Sequence, residues 1–181
     1  MSSEPRPSLG RRVVTGVNAE GRSTIVADAE TPTWVRRPTG SVIMDVWSTL
    51  SLPVHVDDES TGDGGQELAP PRSGLCVRLA VFPPDKDIDE AGAAEYAAAM
   101  KGIYGDQGES TDAGEVPGMH VTETVDVMTV VDGEIWLVME EGETLLRAGD
   151  SLVQRGTRHA WSNRSDRPCT LASTMIAAVR G

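Results

Sequence analysis

Three histidines occur in the 181-residue chain, and two of them head polar stripes on stretches that alternate like β-strands. In His120-Val121-Thr122-Glu123-Thr124-Val125-Asp126-Val127-Met128, successive side chains point to opposite faces of an extended backbone. One face gathers His120, Thr122, Thr124, Asp126 and Met128; the other carries Val121, Glu123, Val125 and Val127. An imidazole titrates at about pH 6.5, so it suits proton transfer near neutrality. Asp126 can orient an imidazole, or exchange protons itself where partial burial raises its pKa. The hydroxyls of Thr122 and Thr124 can hydrogen-bond a substrate carbonyl or hydroxyl. Three valines opposite predict that the polar stripe lines a cavity rather than an open surface. His159, Trp161 and Asn163 repeat the pattern after the Gly156-Thr157 turn. His55, beside Pro53 and an acidic loop, reads as exposed.

These stripes need strands to hold them, and the sequence supplies short ones with tight turns. From His120 onward, strand signals at 120–131, 134–140, 143–147, 151–155, 159–163 and 169–179 alternate with turn residues such as Asp132-Gly133 and Glu141-Gly142. That spacing predicts an all-β sandwich or barrel. Upstream, Arg11 to Thr15 and Ser23 to Ala27 read as a hairpin, and Val42 to Leu52 and Val77 to Phe82 as further strands. Residues 57–74 form an acidic, Gly- and Pro-rich loop by composition. Asp87 to Met100 reads as an Ala-rich helix closed by Gly102 and Gly105. With the Gly/Asp/Glu stretch to Gly118 it makes an insertion at 85–118, either a functional lid or a poorly ordered excursion.

Composition excludes several partner classes. The chain holds 28 acidic and 16 basic side chains, for a net charge of −12. Nucleic acids and anionic membranes need clustered Lys and Arg, so neither is an expected partner. Cys76 and Cys169 show no CxxC spacing, which argues against a disulfide framework or a zinc knuckle. No apolar run reaches a membrane span, and Met1 to Arg12 lacks the apolar centre of a signal peptide. The expectation is a soluble, cytoplasmic protein.

Two motifs in order resemble the cupin superfamily, small β-barrels of jelly-roll type. The family's first motif runs His-x-His, three or four residues, Glu, six residues, Gly. Here it reads His120-x-Thr122, three residues, Asp126, six residues, Gly133. The second opens on Gly149-Asp150 and continues Gln154-Arg155-Gly156-Thr157-Arg158-His159, with Asn163 after three more residues. Fifteen residues separate Gly133 from Gly149, a spacing similar to that of compact cupins. Thr122 stands where the family has a second histidine, Asp126 where it has glutamate, and Gln154 where proline is common.

The resemblance implies a metal site in which His120, Asp126 and His159 remain as ligands. Two histidines and a carboxylate can hold non-haem Fe(II) or a similar divalent ion with open positions. A catalytic zinc with three protein ligands and a water is the other form, and Mn or Ni are further candidates. Without metal, the same three residues remain acid–base groups. Arg155 can pair with a substrate carboxylate or lie on the surface, and Trp136 and Trp161 can be pocket walls or plain core.

The sequence therefore predicts one jelly-roll (cupin) β-barrel over residues 11–181, after a frayed 1–10, with motifs in 119–179 and N-terminal strands extending the sheets. The expected function is processing of a small polar organic molecule in the lumen by acid–base or metal-assisted lyase, dehydratase, decarboxylase or isomerase chemistry. His120, Asp126 and His159 would be catalytic or metal-binding; Thr122, Thr124, Arg155 and Trp161 would contact substrate. The alternatives are a non-catalytic ligand-binding cupin and an Fe(II)-dependent dioxygenase. A homodimer is expected through the N-terminal strands and the valine-rich face.

Overall fold

The computed structural model describes residues 10–60, 73–104 and 118–181, with the side chains of 102–104 left aside. The N-terminal tail expected to fray, most of the acidic loop, and most of the 106–118 stretch lie outside the described residues.

The first β-branched runs form the expected hairpin, β1 (Arg11–Val17) with β2 (Ser23–Glu30). Its turn is closed by the Asn18 side-chain oxygen, which accepts from the backbone N–H groups of Glu20 and Arg22. A short strand, β3 (Thr33–Arg36), was not expected. Its four residues lie between Pro32 and Pro38, and such punctuation hides a strand from pattern reading. Next come β4 (Val42–Thr49), shorter than the predicted 42–52, and β5 (Leu75–Phe82).

Pro83 and Pro84 end β5, and a single 3-10 turn at Asp85–Asp87 leads to α1 (Glu90–Tyr104). The helix thus starts later than expected and runs through Gly102. Asp89 sets the start: its carboxylate accepts from the Gly92 N–H at 2.7 Å, an N-cap bond. Gly102 costs the helix only about 1 kcal/mol, which its Ala-rich body tolerates.

The remaining strands follow the predicted order: β6 (Thr124–Asp132), β7 (Glu134–Met139), β8 (Glu143–Arg147), β9 (Ser151–Gln154), β10 (His159–Ser162) and β11 (Cys169–Ala177). β6 begins at Thr124 rather than at His120. All ladders are antiparallel. A six-stranded sheet runs β3-β4-β5-β11-β6-β9, and a three-stranded sheet runs β10-β7-β8.

The inner face of the larger sheet is divided along its length. One end packs Val130, Cys169 and Leu171 against Ile135 of the smaller sheet, with Phe82 and Trp161 at the margin. Burying each such aliphatic side chain stabilises the fold by roughly 1.5–3 kcal/mol. The other end is polar. Arg78 of β5 lies in register with Asp45 of β4 and Ser173 of β11, and Asp126 of β6 lies in register with Met175 of β11 and Gln154 of β9. Arg78, Asp126, Gln154 and Ser173 are all buried there. Cys76 and Cys169 are buried free thiols, in keeping with the absence of a disulfide framework.

Candidate functional site

His120 precedes β6, and a two-residue bridge positions it. Its N–H donates to the His159 carbonyl at 2.9 Å, and the His159 N–H returns the bond at 3.0 Å. Directly opposed residues project to the same side, so the two rings lie with centroids 4.5 Å apart.

Each ring is then oriented by a carbonyl two residues upstream. His120 Nδ1 lies 2.8 Å from the Gly118 carbonyl oxygen, and His159 Nδ1 lies 2.9 Å from that of Thr157. A carbonyl only accepts, so Nδ1 carries the proton in both rings and Nε2 is the basic nitrogen. Gly118 is required for this arrangement. Its φ of +84° is left-handed, and a Cβ there would stand 2.4 Å from the Tyr96 ring. Gly156 plays the matching part below, where a Cβ would meet the Thr122 carbonyl at 2.6 Å.

A cavity of about 100 Å³ opens on these rings. His120, Thr122, Asp126, His159 and Trp161 all line it. Five of the seven residues expected to act on substrate therefore share one cavity. Thr124 is buried beside it and donates its hydroxyl to Thr122 Oγ1 at 2.9 Å, so it supports a lining residue. Arg155 is a correction: it is exposed. β9 ends on the buried Gln154, and Arg155 follows it on the exposed side. Trp136 faces outward, where the Arg164 guanidinium lies 4.7 Å from its ring centre. His55 is exposed, as expected.

Burial sets the electrostatics. It pushes His120 from 6.5 down to about 3, with His159 and Arg158 acting in the same direction and the Gly118 carbonyl opposing. His159 is also lowered by burial, against the Thr157 carbonyl. Burial raises the Asp126 carboxyl, and the Thr124 hydroxyl and Arg78 partly offset this. Both imidazoles are thus neutral bases at physiological pH, beside a carboxyl that holds its proton more tightly than usual. Asp126 Oδ1 and Gln154 Nε2 are buried without a hydrogen-bond partner among the described residues.

The expected three-ligand metal arrangement is not formed. Among the described residues, no three His, Cys, Asp or Glu side chains come together as a metal-holding group. Two imidazoles with fixed Nδ1–H donors are suitable ligands. Asp126, however, is one methylene shorter than the glutamate of the resembling motif, and Thr122 offers a hydroxyl where that motif has an imidazole. The donor set as placed does not fit a resident ion.

Three contributors were missed at the sequence level: Arg37, Arg78 and Tyr96. All line the same cavity. Arg78 was legible in principle, because Leu75-Cys76-Val77-Arg78-Leu79-Ala80 is an apolar run with one cation, which must be buried and paired. Its Nε donates to Asp45 Oδ1 at 2.6 Å. Tyr96 and Met100 are one turn apart on α1, and Gly92 brings that helix against the Pro38 carbonyl of the β3–β4 turn. A second cavity of about 220 Å³ adjoins the first, with Ser41, Phe82, Tyr96 and Trp161 common to both.

Asn163, the last residue of the second motif, is structural. Its amide donates to the carbonyls of Phe82 and Arg167 and its oxygen accepts from Ser165. Asp85 accepts from the Ser162 hydroxyl and the Asn163 N–H, which ties the start of the insertion to the end of β10.

Residues 109–176 match the Cupin_2 family model, described as a cupin domain. Residues 109–176 thus carry a cupin domain. The phomopsin biosynthesis cluster protein C' of Diaporthe leptostromiformis is 56% identical over 48 residues, which is 26% of this chain and 25% of that protein. The matched segment thus spans about a quarter of that relative's length. The cupin-domain-containing oxidoreductase virC of Hypocrea virens is 25% identical over 170 residues, covering 90% of this chain and 73% of its own. Among solved structures, a putative ethanolamine utilization protein Q of Salmonella typhimurium has a TM-score of 0.44 at 8% identity, covering 96% of this chain and all of that one. Among the described residues, no helix is long and apolar enough to cross a membrane.

Proposed function

We propose that this cupin is an enzyme that moves a proton on a small organic molecule held in its lumen. The observation that carries this reading is the His120–His159 pair, with Nδ1 of both rings fixed on backbone carbonyls and both rings on one cavity wall. An imidazole held neutral by burial keeps its Nε2 lone pair available across the physiological range. Asp126, whose carboxyl is raised by the same burial, would relay the proton from the same wall. A base and an acid facing one small space suit abstraction of a proton next to a carbonyl and its return elsewhere, as in isomerases and dehydratases. Thr122 orients the substrate oxygen, and Thr124 orients Thr122.

The test is hydrogen exchange. The protein is incubated in D2O with small 2-oxo acids, 3-oxo acids and aldehydes, and loss of the α-C–H signal is followed by NMR. The expected result is enzyme-dependent exchange that falls by about 100-fold or more in His120→Gln and His159→Gln, the scale of general-base catalysis. Exchange that persists unchanged in both variants, or is absent across the panel, refutes the reading.

The name of the Hypocrea virens relative favours redox chemistry as a second reading. Substrate consumption that depends on added nicotinamide cofactor or ferrous ion, and not on either histidine, would favour it over proton transfer.

We also propose that the protein is a homodimer. A two-stranded hairpin is marginal by itself in water, and β1–β2 exposes Val13, Val17, Ile25 and Val26. Val127, Val131 and Val153 add exposed apolar side chains on β6 and β9.

A further inference from the structure

One oxygen on the inner cavity wall is unmatched. Asp126 lines that cavity and is 2% exposed, yet its Oδ1 has no hydrogen-bond partner among the described residues. A buried acceptor left unpaired is costly, so an orphan on a cavity wall asks for a donor. The in-register residue across the ladder, Gln154 of β9, does not supply it. Thr157 holds that amide by its other end, donating to Oε1 at 2.5 Å, and Gln154 Nε2 is itself unpartnered among the described residues. Thr122, on the same cavity, offers the complement. Its oxygen accepts from the Thr124 hydroxyl at 2.9 Å, which leaves its own proton to donate. An acceptor and a donor on one wall match a hydroxyl, which both gives and takes a hydrogen bond.

Charge narrows the choice of guest. An ammonium would satisfy Asp126, but Arg37 and Arg78 line the same cavity and disfavour another cation. A carboxylate would face Asp126 itself. An uncharged hydroxyl avoids both conflicts. The adjoining chamber describes the rest of the molecule. It forms where the insertion meets the barrel, with Ile88, Ala93 and Tyr96 from the former and Phe82 and Trp161 from the latter. At about 220 Å³ it exceeds the roughly 150 Å³ that suffices for an apolar cavity to hold benzene. Phe82, Tyr96 and Trp161 line both spaces, so a ring seated among them has access to the inner wall. Phe82 and Trp161 stand with ring centres 6.3 Å apart at 42°, a tilted pair that offers flat faces to a planar guest.

We infer that the lumen binds a small uncharged ring compound bearing a hydroxyl, of the phenol or cyclic enol class, its ring among Phe82, Tyr96 and Trp161 and its hydroxyl on Asp126 and Thr122. This rests on the lumen being the functional site, as proposed above, but not on proton transfer within it. The apolar chamber supplies most of the contact area, and the few polar groups of the inner wall fix the orientation. It follows that both parts of the guest are needed: a hydroxyl without a ring, or a ring whose oxygen cannot donate, binds worse.

Calorimetry with phenol, anisole and ethanol as probes tests this. Phenol is expected to bind at millimolar concentration, about tenfold or more tighter than either of the others, the scale of one hydrogen bond to a charged group. Apolar burial alone would favour anisole, which carries one methyl more. Asp126→Val, similar in shape but without the acceptor, is expected to lose the preference for phenol while keeping anisole binding. Thr122→Val, which removes the second hydroxyl contact, is expected to reduce the preference and reads the same contact should Asp126→Val not fold. Ala93→Leu narrows the outer chamber and is expected to weaken phenol and anisole alike by about tenfold. Equal binding of phenol and anisole would mean that water rather than a guest serves Asp126, and overturns the inference. A preference unchanged in both wall variants, or no binding of phenol at millimolar concentration, overturns it as well. Exchange catalysis without phenol preference removes only this inference. Phenol preference without exchange catalysis removes only the proton-transfer reading.

Discussion

His120 makes stability depend on pH in a calculable way. Burial lowers its imidazole from 6.5 to about 3, so between those values the unfolded chain binds a proton that the folded chain does not. Stability conferred by the neutral imidazole is present above about pH 6.5 and is lost as pH falls, at about 1.4 kcal/mol per pH unit. The full window corresponds to about 5 kcal/mol, and the part between about pH 6.5 and pH 5 to about 2 kcal/mol. His159 moves in the same direction from the same cause, which steepens the fall in the wild type. Asp126 acts with the opposite sign: its raised carboxyl is a burden at neutral pH that eases as the group takes up its proton. Urea unfolding of the wild type and of His120→Gln, at about pH 7.5 and pH 5, isolates the His120 part by difference. The wild type is expected to lose about 2 kcal/mol more than the variant over that interval. Equal losses in the two proteins, or an NMR titration placing His120 near its ordinary value, would refute the argument that burial governs this ring.

Other outcomes follow from the same geometry. Thr122→His places a third imidazole on the wall shared by His120 and His159; zinc affinity, measured by competition with a chelating dye, is expected to rise by about tenfold or more. Asn163→Ala removes bonds to the Phe82 and Arg167 carbonyls and is expected to lower unfolding free energy by about 2–3 kcal/mol, read as a shift in urea midpoint at unchanged slope. Light scattering coupled to size exclusion is expected to give twice the 19.2 kDa chain mass, and a monomer at micromolar concentration would end the dimer proposal.

The strand order from His120 onward was legible because each strand is short, alternates and ends on a residue with an obvious turn role. The polar stripe was legible for the same reason: Val121, Val125 and Val127 fix which way His120, Thr122 and Asp126 must face. Arg155 was expected on the strand, but β9 ends on the buried Gln154 and leaves Arg155 exposed just beyond it. The helix boundary was misjudged because Gly102 is only a mild interruption, while the Asp89 cap controls the start. What the linear pattern could not supply was the other wall of the cavity. Arg37 arrives on a turn, Arg78 from a strand two ladders away from β6, and Tyr96 from the insertion. Their meeting depends on sheet order and on Gly92 docking against Pro38, neither of which has a local signature.

The metal ligands expected by resemblance illustrate the same limit in chemical terms. Spacing places His120, Asp126 and His159 on one lumen, and they do line it together. Coordination is stricter than proximity: it needs donor atoms at bond length, and a carboxylate one methylene short of the motif's glutamate does not complete a group with the rings. The residues left behind still make poor core. Two imidazoles, two guanidiniums and a carboxyl with an oxygen unpartnered among the described residues are clustered at one end of a barrel whose other end is filled with Val, Ile and Leu. Apolar residues of similar volume would serve stability better, since each buried polar group not fully bonded costs about 1–3 kcal/mol. Local choices that work against the fold, gathered on a single cavity wall, are what a binding or catalytic requirement leaves in a sequence. On that reasoning, apolar replacement of the pair, His120→Leu with His159→Leu, should stabilise the protein or leave it unchanged while abolishing exchange catalysis; a large loss of stability would instead make the pair a structural brace.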